Sequence, residues 1–92
     1  LDLLAEARAA RALGRLGAEA ALRLVTTDGA RALGLEREVG SLAPGKWGDV
    51  AVFRLPGSTG AEQLSEAVLS LGPDAVLLTC LAGREMYRKQ GL

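Results

Sequence analysis

Histidine is absent from all 92 residues of this sequence. That absence removes Ser-His-Asp and Cys-His catalysis, histidine-built zinc sites and the side chain that changes charge near neutral pH. The single cysteine, Cys80, has no partner for an internal disulfide. Its place in an apolar run reads as a small buried hydrophobe. Aromatics are scarce: Trp47, Phe53 and Tyr87 are the whole set, too few to stack on bases. Eleven basic residues balance eleven acidic ones, which excludes the basic face that nucleic acid or an anionic membrane requires. No apolar stretch reaches the roughly 18 residues of a membrane span, and no signal peptide is recognisable. The expectation is a soluble, cytoplasmic protein with neither nucleic acid nor membrane as partner. Position 1 is Leu1 rather than methionine, and the chain is read as cut from something longer.

What is present is ordinary for a globular protein, with 49% hydrophobic and 24% charged residues. The length allows one small domain, which buries only about 60–65% of its unfolded surface. Residues 1–35 read as helical. Asp2 is placed to cap a first helix, with Leu3, Leu4, Ala7, Ala10 and Leu13 as its apolar stripe and Glu6, Arg8 and Arg11 facing outward. Gly14 and Gly17 break the pattern. A second helix spans Ala18 to Val25, and Asp28 suits the cap of a third that ends at Gly34.

The character changes after Glu36. Pro44 and Gly45 form a turn, and Asp49 to Leu55 reads as a strand. A loop over Pro56–Gly60 leads to a helix over Ala61–Leu71 with Leu64, Val68 and Leu71 at helical spacing, stopped by Gly72-Pro73. Ala75 to Leu81 is apolar on both faces, as a strand in the middle of a sheet would be. Gly83 then turns the chain back through Glu85–Arg88 as a hairpin. The fold class is α+β: helices, then a small antiparallel sheet with one inserted helix.

None of the motifs carries chemistry. Gly40 to Lys46 matches the spacing of a phosphate-binding GxxxxGK loop. Yet Trp47 stands where a hydroxyl should hold magnesium, and a strand follows where a helix should open. Glu36 with Glu38, and Glu62 with Glu66, read as solvated pairs. Arg8, Arg11, Arg15 and Arg23 read as solvated helix surface. Asp49 reads as a turn acceptor for backbone N–H groups. The small residues Gly29, Ala30 and Ala32 imply close helix packing.

Ala20–Leu35, with its Thr26-Thr27-Asp28-Gly29-Ala30 and Ala32-Leu33-Gly34-Leu35, is followed by Val39-Gly40-Ser41-Leu42-Ala43-Pro44-Gly45-Lys46 and Gly48-Asp49-Val50-Ala51-Val52. In that order these segments resemble the C-terminal region of the amidohydrolase superfamily. Leu1–Ala10 is similar to the last barrel helix of its cytosine/guanine deaminase and chlorohydrolase branch, and Leu81–Tyr87 to the family's final hairpin. The resemblance departs at Asp28, where asparagine is common, at Gly48, where alanine is usual, and at Ala82, where asparagine usually precedes Gly83.

The resemblance implies a TIM-barrel parent that uses zinc or another divalent metal to activate water against a C–N bond of a small cyclic compound. Residues 1–35 would be the last barrel helices and residues 36–92 the C-terminal part of a composite β-sandwich. Val50, Val52, Phe53, Val76 and Leu78 would lie in the sandwich core, and Gly34, Gly40, Pro44, Gly45 and Asp49 would shape the turns. No catalytic, cofactor-binding or metal-ligating residue of the family maps onto this chain, so no cofactor is expected in it. The implied partner is the N-terminal barrel part of the same protein, with a homodimer through exposed strands in its absence. The alternative is a free-standing interaction or dimerisation module without enzymatic activity.

Overall fold

A computed structural model describes residues 2–91. Helix α1 (Leu3–Gly14) starts where Asp2 accepts a hydrogen bond from the Ala5 N–H at 3.1 Å. It ends at Arg15, whose φ of 53° is a left-handed C-cap adopted without glycine. Gly17 then leads into α2 (Ala18–Leu24). Helix α3 (Thr27–Ala32) follows almost at once. Its cap is Thr26 rather than the expected Asp28. The Thr26 hydroxyl donates back to the Leu22 carbonyl at 2.8 Å, so α3 begins without a side-chain cap. Asp28 sits in the first turn and pairs with Arg31. The C-terminus is as the glycine foretold. Gly34 has φ 75°, its N–H bonds the Arg31 carbonyl, and the Leu35 N–H bonds that of Ala30, which is the Schellman arrangement.

Strand β1 (Val50–Phe53) is shorter than expected. Strands β2 (Val76–Leu81) and β3 (Arg84–Arg88) form the hairpin. The sheet is antiparallel in the order β1-β2-β3, so the apolar β2 is central. Between β1 and β2 the expected single helix divides into a 3₁₀ turn over Ala61–Gln63 and α4 (Leu64–Leu69). A 3₁₀ turn advances three residues per turn instead of 3.6. That rotates the apolar stripe: Leu64 is exposed, and Leu69 is the one large side chain fully buried among the described residues.

The buried cluster joins Ala7 of α1, Ala18 and Ala21 of α2 and Leu69 of α4, with Leu22 and Val25 against it. Alanines dominate because three helices approach closely at one point. Leu3 and Leu13, expected in the α1 stripe, are exposed, Leu13 by 89%. The helix inserted between strands thus packs with the N-terminal helices.

Two arginines fasten that packing, and neither is the solvated surface residue expected of it. Arg8 Nη1 donates to the carbonyls of Leu69 and Leu71 at 2.8 and 3.1 Å, satisfying acceptors that the end of α4 leaves open. One turn on, Arg11 meets Glu66 through both nitrogens at 2.5 and 2.7 Å. This side-chain hydrogen bond holds the Glu66 carboxyl below its ordinary pKa and raises that of Arg11. Glu66 is therefore an inter-helix partner, and only Glu62 keeps the solvated role expected of the pair.

No residue of any strand is buried among those described. Even Cys80 is only half-buried, against the expectation of a buried thiol. Strand β2 is apolar on both faces yet only half-buried, and β3 is exposed throughout. The chain exposes 6664 Å², against about 5,000 Å² from surface-to-mass scaling for a monomer of this mass.

Replacing Arg8 with alanine is expected to cost about 1–2 kcal/mol, because two carbonyls lose a charged donor. Urea unfolding beside Arg15→Ala, expected to be near neutral, checks this; equal effects of the two would refute the clasp. Glu66 supplies a pH dependence. Its folded pKa is depressed, so its stabilisation is complete above the unfolded carboxyl value of about 4.3 and disappears as pH falls through the lower folded value. Glu66→Gln should flatten the decline of the urea midpoint below about pH 4.3, and an unchanged decline would show that the pair is idle.

Candidate interaction groove

The loop from Leu35 to Asp49 positions everything that separates the helices from the sheet. Gly40 takes φ 101° where the chain crosses the start of α3. A Cβ there would lie 2.8 Å from that of Ala30 and 3.1 Å from the Thr26 carbonyl oxygen. Within α3's own approach, a Cβ on Gly29 would meet the Leu24 carbonyl oxygen at 2.7 Å. Gly29 and Ala30 serve the close packing read for them, whereas Ala32 is exposed. The GxxxxGK lookalike closes on itself: Lys46 Nζ donates to Ser41 Oγ at 2.9 Å, and the Trp47 N–H bonds the Glu38 carbonyl. Three irregular residues and then β1 follow it, and no helix opens there to bind an anion. Glu36 and Glu38 are exposed.

Asp49 is a turn acceptor, and the turn it serves lies far along the chain. Its Oδ1 accepts from the Ala82 N–H at 2.8 Å, and the Gly83 N–H bonds the Gly48 carbonyl at 2.9 Å. Ala82 and Gly83 have φ of 53° and 78°, the left-handed pair of a two-residue hairpin turn. Alanine occupies a conformation that costs an L-residue about 1–2 kcal/mol, and the Asp49 carboxylate holds it there. A Cβ on Gly48 would come within 3.0 Å of the Gly83 nitrogen. Two of the family departures, Gly48 and Ala82, therefore meet at one spot. The glycine gives the hairpin the space to reach Asp49. The spacing of residues could not show this, because the contact spans 33 positions.

Between α2, α3, the loop and β1 lies an open groove of about 650 Å³. Leu24, Val25, Leu33, Val39, Leu42 and Phe53 form most of its apolar wall, with Asp49 near one side. Leu24, Leu33 and Leu42 are exposed large hydrophobics. An apolar wall of this kind is chemistry for burial against another surface. Sequence reasoning missed the groove, since its walls come from segments whose separation is set in three dimensions. Among the described residues no three His, Cys, Asp or Glu side chains gather as a metal ligand set. No helix among them is long and apolar enough to cross a membrane.

Fold and groove together define a class: an α+β chain whose core is helical and whose sheet and groove present apolar surface. Residues 2–87 match the model of the amidohydrolase family, and the chain belongs to that family. It is similar to a 5-methylthioadenosine/S-adenosylhomocysteine deaminase of Teredinibacter turnerae, 43% identical over an alignment of 58 residues that covers 54% of this chain. The match spans 13% of that relative's length.

The hairpin clamp is open to test. Ala82→Gly should raise stability by about 1 kcal/mol by relieving the left-handed alanine. Gly48→Ala should lower it by about 1–3 kcal/mol through overpacking against Gly83. Denaturant midpoints read both, and a neutral Gly48→Ala would show that the close approach relaxes freely.

Proposed function

We propose that this chain is the C-terminal, non-catalytic part of a metal-dependent amidohydrolase that hydrolyses or deaminates a C–N bond of a small cyclic compound. Residues 1–35 are then the last helices of a TIM barrel, and residues 36–92 the C-terminal portion of a β-sandwich. The observation that carries this reading is the uncovered sheet: in a chain belonging to a family of hydrolases, none of its described strand residues is buried. The surface beyond that of a compact monomer is about 1,600 Å² by the same scaling, about twice the roughly 800 Å² that one partner buries in a standard interface.

The partner on this reading is the barrel-bearing remainder of the same polypeptide. It supplies the metal ligands and the pocket, with zinc or another divalent ion as the implied metal. The related deaminase acts, by its name, on 5-methylthioadenosine and S-adenosylhomocysteine, and a substrate of that chemical kind fits the proposal. The two edges of the sheet favour one side for docking. On β3 the pairing passes from Tyr87 to Glu85, leaving Met86 as an extra residue, and Arg84, Glu85 and Arg88 add charge. Bulges and charges of this kind blunt an edge. Strand β1 is Val50-Ala51-Val52-Phe53, uncharged, and lies beside the groove. A neighbour therefore joins at β1, and in the compartment that holds the parent, proposed as the cytoplasm, the chain works as scaffold.

The 92-residue chain with zinc and 5-methylthioadenosine should release no ammonia, and co-expression with the polypeptide encoded upstream in the same frame should restore turnover. Deamination by the short chain alone would overturn the reading. A start codon within a few residues of Leu1, with no barrel-sized frame before it, would favour an autonomous interaction module. Without its partner the chain should self-associate through β1 as concentration rises, and Val52→Lys should suppress this. A stable monomer at high concentration in sedimentation would refute self-association.

A further inference from the structure

We draw no further inference here: the strongest candidate, the apolar groove between α2, α3 and β1, belongs to the docking surface already proposed, and nothing in the structure shows what else covers it.

Discussion

The Arg8 guanidinium reaches from α1 to two carbonyls at the end of α4, and the rest of the molecule is organised by that reach. Helix α4 lies in sequence between β1 and β2. Fixing it on α1 therefore fixes where the chain leaves one strand and enters the next. The alanine cluster beneath it is small, and small side chains contribute little apolar area each. In so thin a core, a charged donor satisfying main-chain acceptors matters more than it would in a larger domain. Arg11 and Glu66 add an exposed pair of modest worth, and their service is mainly geometric, holding the two helices in one rotation.

The sheet depends on this arrangement without being covered by it. Its strands pair antiparallel from β1 through β3, with one register shift in each ladder. Its side chains nevertheless remain at the boundary with water. An antiparallel sheet commonly leaves one face wet and packs the other. Here a central strand reading Val-Leu-Leu-Thr-Cys-Leu carries apolar residues on both faces, a composition suited to burial on each side. The sequence of the sheet and the environment of the sheet disagree.

Much of this was legible in the residues. Asp2 as a cap, Gly34 as a left-handed terminator, the central place of β2 and the hairpin at Gly83 all depend on chemistry within a few positions. Errors arose from neighbouring elements that changed a cap or a helical phase, and from distant segments. Asp28 lost its cap because Thr26 is held by α2. Leu64 lost its burial because a 3₁₀ turn before it changed the phase. Arg8 and Arg11 looked solvated because their partners lie 55 to 63 positions away. The groove was invisible for the same reason.

A hairpin with an asparagine-glycine turn closes locally, within microseconds, and is available early to guide the rest of a sheet. The hairpin of this chain turns on Ala82, which resists the required backbone angle, and its restraint comes from Asp49 on the far side of α4. The β2–β3 turn and the segment carrying β1 are consequently coupled through that one carboxylate. The turn of the β2–β3 hairpin is thereby tied to a contact across 33 positions, and two later strands lean on an earlier segment to hold their bend.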